Sequence, residues 1–165
     1  MEPGRILKHL CIGRWQLLRA FPRRSLRAIG EAIRDAEMGH CGEIRFAVEP
    51  SLDLKRLLSG QSARERALEV FSHLQVWDTE HNSGVLIYLL LADRQVEIVA
   101  DRGIHARVGS EEWEQICRDM ESAFREGYFE AGVISGIKAV GLHLARHFPS
   151  LDERGNELPN RPVIL

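Results

Sequence analysis

Two hydrophobic periods alternate along this chain, and they divide it into helices and strands. Ile6, Leu10, Leu17 and Leu18 recur at helical spacing and predict a helix over 6–20. Phe21-Pro22 ends it, because the residue before a proline is driven out of the α region. Ser25 is positioned to cap a second helix that runs to about Met38, with Leu26, Ile29, Ile33 and Ala36 on one face and Gly39 as its stop. The period then changes to two: Glu43-Ile-Arg-Phe-Ala-Val-Glu49 alternates and predicts a strand, closed by Pro50. Leu52–Gly60 reads as a short helical turn and loop. Ser62-Ala-Arg-Glu65 is a capping box for a helix to about Leu74, followed by a polar loop over 75–83. Gly84–Ala92 is apolar throughout, as a strand covered on both faces would be. Asp93-Arg94 predicts a tight turn, Gln95–Ala100 an antiparallel return, and Asp101-Arg-Gly103 its end.

Ser110-Glu-Glu-Trp113 predicts another helix start, with Ile116, Met120, Ala123 and Phe124 inward and Gly127 as an interruption. Tyr128–Phe148 is the longest helical stretch; Gly132, Gly136 and Gly141 on it are expected to allow close packing against the sheet. Pro149–Leu165 reads as an extended tail. Helices before, between and after the strands predict an α/β fold, a three-layer α/β/α sandwich of Rossmann-like type around a small mixed sheet with an antiparallel hairpin. The expected division is a basic helical extension over 1–22, the α/β/α domain over 23–148 and the tail over 149–165.

With 165 residues, 44% hydrophobic and 28% charged, the chain has the size and composition of one globular domain. Three scattered cysteines (Cys11, Cys41, Cys117) form no CxxC and no disulfide framework, so the expected compartment is the reducing cytoplasm. No apolar run reaches the length of a membrane span and the N-terminus lacks a signal peptide's apolar core, so an integral membrane protein is not expected. The net charge of −2 conceals an asymmetry: residues 1–36 hold eight Lys/Arg and three acids, a net +5. That basic arm suits a membrane surface or a membrane-protein partner, or simply lies solvated across the acidic body; no nucleic-acid motif accompanies it.

Candidate chemistry follows from the topology. If the first two strands run parallel and the third returns, then His40–Glu43, Asn82–Gly84 and Asp101–Gly103 meet at one sheet end, under the loop Trp77–Asn82. Glu37, Asp78, Glu80, Asn82 and Asp101 are thus expected to converge as hard oxygen ligands for Ca2+ or Mg2+. Asp101, Arg102 and Asp78 are the candidate catalytic groups if the cation supports hydrolysis, Arg102 steadying phosphate charge. Each has a plainer role available: Asp78 capping a turn, Asn82 tying the loop, Asp101 pairing with Arg102 or Arg107. His40-Cys41 reads as a small buried thiol beside a histidine, and His143/His147 as a packed or surface pair, since Leu144 breaks the HExxH pattern. Trp15, Trp77 and Trp113 read as partly buried packing residues. No GxxxxGK[ST], GxGxxG or GxSxG occurs, so no nucleotide cofactor is expected.

Glu37-x-x-His-Cys-Gly-Glu-Ile-Arg45, Arg66-Ala67 with Phe71, Asn82-Ser-Gly-Val-Leu-Ile87, Asp93-Arg94, Val99-Ala-Asp-Arg-Gly-Ile104, and Trp113 with Phe124 and Gly127 together resemble the TPM domain, over roughly Ser25–Phe148. The family it resembles includes plant thylakoid-lumen proteins of photosystem repair and animal membrane-receptor accessory proteins, and phosphatase activity and calcium binding are attributed to some members. The resemblance implies the same α/β/α sandwich and carries over Glu37, Asn82 and Asp101 as site positions. It implies a divalent-cation-binding interaction module in the assembly or maintenance of a membrane-associated complex, the alternative being a metal-supported phosphatase-like hydrolase of phosphomonoesters.

Overall fold

The computed structural model describes residues 3–150 and 156–165. Its centre is β2 (Gly84–Leu90), every residue of which is buried. An apolar strand of this kind is stable only between two strands and beneath two layers of helix. β1 (Glu43–Glu49) pairs with it in parallel, Glu43 opposite Gly84, and β3 (Gln95–Ala100) pairs antiparallel, Leu90 opposite Gln95. The turn between β2 and β3 spans 91–94, with Arg94 in the left-handed region at φ 51°.

Side-chain alternation divides the core between the two sheet faces. Ile44, Phe46, Val85, Ile87 and Ile98 face one layer, built by α3 (Arg23–Glu37), α7 (Ser110–Arg125) and α8 (Phe129–His147). Ala47, Leu86, Tyr88, Leu90 and Val99 face the other, where α4 (Leu54–Leu58) and α5 (Ala63–His73) lie. This is the expected three-layer sandwich. The Ser62/Glu65 capping box opens α5 as expected: Glu65 N–H donates to Ser62 Oγ, and Ser62 N–H to Glu65 Oε2.

Several elements depart from the sequence reading. The single N-terminal helix is two, α1 (Pro3–Cys11) and α2 (Arg14–Ala20), separated at Ile12-Gly13. They are no loose extension, since Leu17 and Phe21 are fully buried in the larger core, Phe21 against the rings of Phe46 and Phe129. Pro22, not Ser25, is the N-cap of α3, and Ser25 is buried inside the helix. Ser110 is the first residue of α7 rather than its cap; Gly109 takes that place at φ 89°. A helix α6 (Arg102–Val108), capped by Asp101, follows β3 where a simple strand end was expected.

The glycines of α8 admit neighbouring helices rather than the sheet: Gly136 faces Met120 of α7, and Gly141 faces Ala36 of α3. The tail is not wholly irregular, because β4 (Val163–Ile164) adds to β1 in parallel and completes the order β3-β2-β1-β4. Trp113 is buried, but Trp15 and Trp77 are exposed. Among the described residues, no helix is long and apolar enough to cross a membrane.

Gly84 shows how tightly the start of β2 is held. A Cβ there would lie 1.9 Å from the carbonyl oxygen of Val76, an atom fixed by its own backbone. Gly84→Ala should therefore destabilise the protein by roughly 3 kcal/mol, the upper end of overpacking costs. Gly136→Ala meets only the flexible Met120 thioether, at 2.3 Å. Its strain should nearly cancel against the gain of about 1 kcal/mol in helix propensity. Denaturant midpoints of the two variants check the contrast.

Candidate functional site: the sheet end and the tail-covered edge

The parallel pair β1/β2 and the returning β3 do bring the starts of β1 and β2 and the end of β3 to one end of the sheet. The segments of two of the expected site residues, Asn82 and Asp101, are tied together there through neighbouring backbone groups. Asp101 N–H donates to Gly84 O at 2.8 Å, and Ile104 N–H, from the first turn of α6, donates to Asn82 O at 3.3 Å. Gly103 makes this approach possible, since a Cβ on it would lie 2.5 Å from Asn82 O and 2.9 Å from His81 O. Asn82 itself takes φ 50°, a left-handed conformation that asparagine tolerates better than most residues.

The Asp101 carboxylate is buried, only 8% of the residue being exposed. Its Oδ1 accepts the Arg102 N–H at 2.7 Å, while the buried Oδ2 has no hydrogen-bond partner. An unpartnered buried carboxylate oxygen is costly, so something with positive charge is favoured beside it. Arg102 meets Asp101 only through its backbone, and among the described residues neither the Arg102 nor the Arg107 guanidinium pairs with the carboxylate. The Arg102 side chain is exposed, and Arg107 instead donates to His147 O at 2.7 Å and covers the Phe148 ring.

The other three expected ligands do not join them. Asp78 and Glu80 are exposed on the loop, and the Glu80 N–H donates to Glu157 Oε2 at 3.2 Å. Glu37 stands on the far side of β1. Because β2 and β1 both intervene, at least two strand spacings, about 10 Å, separate it from the end of β3. Among the described residues no group of three or more His, Cys, Asp or Glu side chains is placed to hold a metal ion.

Glu37 instead belongs to a second polar assembly that sequence reasoning missed. Its Oε1 accepts the Ile44 N–H at 2.8 Å and its Oε2 accepts from the side-chain amide of Asn160. Glu43 accepts the backbone N–H groups of Glu157 and Leu158, at 3.0 and 3.2 Å, and Arg45 donates to Pro159 O. Glu43 and Arg45, at alternate positions of β1, are polar residues of the kind that would normally face water. Both are buried, because the tail lies over them. The available signal was the apolar run Val163-Ile-Leu165 after Pro162, short but strand-like.

Burial raises the Glu37 carboxyl from 4.5 to about 7, against the lowering influence of the Ile44 N–H; Glu43 nearby adds repulsion, and Arg45 only partly offsets it. Burial likewise raises Glu43 and lowers Arg45.

His40, Cys41 and His143, read from the sequence as structural residues, make local contacts. His40 Nδ1 accepts the Gly42 N–H at 3.1 Å, and Cys41 uses its backbone to bond Phe148 and Ser83. Burial pushes the Cys117 thiol up to about 12, which keeps it protonated and unreactive at neutral pH. The His143 ring packs edge-on against Trp113, with centroids 5.5 Å apart.

At the opposite end of the sheet, α1 is pinned beside the β2–β3 turn. Arg5 Nε donates to Asp93 at 3.0 Å, and His9 Nδ1 accepts the Leu52 N–H at 2.9 Å. The pinned face leaves Leu7 and Leu10 about two-thirds exposed (64% and 68%). Trp15 and Leu18 on α2 and Leu54 and Leu58 on the neighbouring α4 are exposed as well. Exposed cations Lys8, Arg14, Arg19 and Lys55 stand among them.

A mixed four-stranded α/β/α sandwich with its loop motifs at one sheet end defines a class, and the comparisons with known proteins agree on which. The TPM-domain family profile matches residues 19–142, so the chain belongs to the TPM domain family. The match begins and ends about six residues before the span that the sequence motifs marked. The structure is similar to that of the BA42 protein from the psychrophilic bacterium Bizionia argentinensis, with 32% identity, a TM-score of 0.75, and 86% of this chain and 93% of that one covered. It also shares its fold with the N-terminal domain of a protein from P. gingivalis, at 21% identity and a TM-score of 0.59, covering 74% of this chain and 76% of that one. No curated protein matches the sequence.

The Glu37 shift carries a pH prediction. A carboxyl raised in the folded state contributes stability in full below its unfolded value of 4.5, and that contribution is lost as pH rises through about 7. The stability of the wild type relative to Glu37→Gln should therefore fall between about pH 5 and about pH 8. Urea midpoints of both proteins across that range test it, and an unchanging difference would place Glu37 in water.

Proposed function

We propose that this TPM-domain chain is a non-catalytic interaction module that binds one divalent cation through Asp101 and serves a membrane-associated complex. The observation that supports cation binding is the buried, unpartnered Asp101 Oδ2 at the sheet end. The donor set fits Ca2+ or Mg2+ in kind, since Asp101 and Asn82 offer hard oxygens. It is poor in charge, with one carboxylate rather than the five-residue cluster read from the sequence. Affinity in oxygen-ligand sites follows charge count and rigidity, so the expected dissociation constant is weak, about 10⁻⁴ to 10⁻³ M. The three free cysteines are in keeping with a cytoplasmic setting.

The hydrolase alternative has less support. Arg102, assigned to steady a phosphate, points to solvent, and Asp78 is exposed. Calorimetric titration with Ca2+ and with Mg2+ tests the main reading. Weak saturable binding is expected for the wild type and none for Asp101→Asn, which retains a competent helix cap. Absence of binding by the wild type would end the proposal. Hydrolysis of p-nitrophenyl phosphate that disappears in Asp101→Asn would favour the phosphatase instead.

The partner side of the module is the apolar and basic face of α1, α2 and α4. An exposed apolar set mixed with cations complements an anionic lipid surface, which takes up leucine and tryptophan and attracts lysine and arginine. Vesicles containing phosphatidylserine should co-sediment with the wild type, and neutral vesicles should not. Leu7→Glu with Leu10→Glu, both exposed and so harmless to the core, should reduce binding at least tenfold. Equal binding by this variant would exclude the face.

A further inference from the structure

The edge of β1 away from β2 is filled by the chain's own tail, and it is filled unevenly. Among the described residues of the tail, only Val163 and Ile164 pair with the strand, opposite Ala47 and Val48, and Leu165 N–H donates to Val48 O at 3.0 Å. On that edge, no strand among the described residues pairs with Glu43–Phe46. Side chains read the tail there: Glu43 takes two successive backbone N–H groups, Arg45 a carbonyl and Glu37 a side-chain amide. Leu158, Val163 and Leu165 pack against the core beneath, and Gly30 of α3 lies beside Asn160 and Pro162. Backbone-directed bonds combined with apolar pockets are how proteins bind an extended peptide as an added strand.

Two features keep this seat from being a permanent part of the sheet. β4 is two residues long, so its ladder is small. The docked tail also withdraws two carboxylates and a guanidinium from water, and leaves the buried Arg45 Nε without a hydrogen bond. Desolvation of such groups offsets much of what their contacts contribute. Docking is therefore specific in geometry and modest in net strength.

We propose that the β1 edge, with Glu37, Glu43 and Arg45, is a peptide-binding groove whose resident ligand is segment 156–165, and that it accepts the same segment from a second copy of this chain. Exchange of an identical element between protomers preserves every contact while linking two molecules. The groove stands apart from the cation reading, since neither Asp101 nor Asn82 touches the tail through any hydrogen bond described.

The probe is a fluorescent synthetic peptide of residues 156–165, added to the full chain and followed by anisotropy. A resident ligand competes, so weakening it raises the apparent affinity of the added one by the fraction of groove set free. The full chain carrying Leu158→Ala and Asn160→Ala should bind the wild-type peptide at least tenfold more tightly than the wild-type chain does. A peptide carrying Leu158→Asp should not bind either protein. No binding to the tail-weakened chain, binding indifferent to the tail substitutions, or equal binding of the Leu158→Asp peptide would each overturn the groove.

Discussion

The burial of β2 on both faces is the constraint from which the rest of this molecule follows. Seven consecutive buried residues need a strand on each side and a helical layer above and below. β1 reaches β2 through a crossover that contains α5 and so runs parallel to it, while β3 follows from a four-residue turn and runs back. These two connections alone decide that the loop before β2 and the residue after β3 share one end. The approach of Val76 O to Gly84 and of Asn82 O to Gly103 closes that end so tightly that side chains are excluded at both glycines.

The flank of β1 shows a different balance. Its polar residues point where a solvent-facing strand would put them, yet each is buried against a specific partner. Glu49 accepts Arg66 Nε at 2.8 Å and the Tyr88 hydroxyl at 2.8 Å, tying α5 to two strands. Glu43 and Arg45 hold the tail in the same way. Buried charges of this kind add little net stability, because desolvation cancels much of the attraction, but they penalise any misplacement of the partner. Here they fix the register of a crossover helix and the seat of an extended segment.

The two ends of the sheet consequently differ in character. One presents an unsatisfied carboxylate oxygen among backbone carbonyls. The other presents exposed leucines and lysines on helices held down by Arg5, His9 and Asp93.

The sequence by itself determined the strands β1 to β3, most of the helices that cover them and the parallel and antiparallel pairings, through its hydrophobic periods and connections, while its motifs carried the family resemblance. These features depend on local periodicity, capping chemistry and connection length, which are written in neighbouring residues. That the segments holding Asn82 and Asp101 share one sheet end was legible for the same reason, since topology alone puts them there. Only the tertiary structure decided that Glu37 faces the tail rather than Asp101, that Glu43 and Arg45 are buried, and that Leu17 and Phe21 join the core. Those outcomes depend on which distant segment covers a given edge. A polar residue at an alternating position looks the same in sequence whether water or residue 158 lies over it.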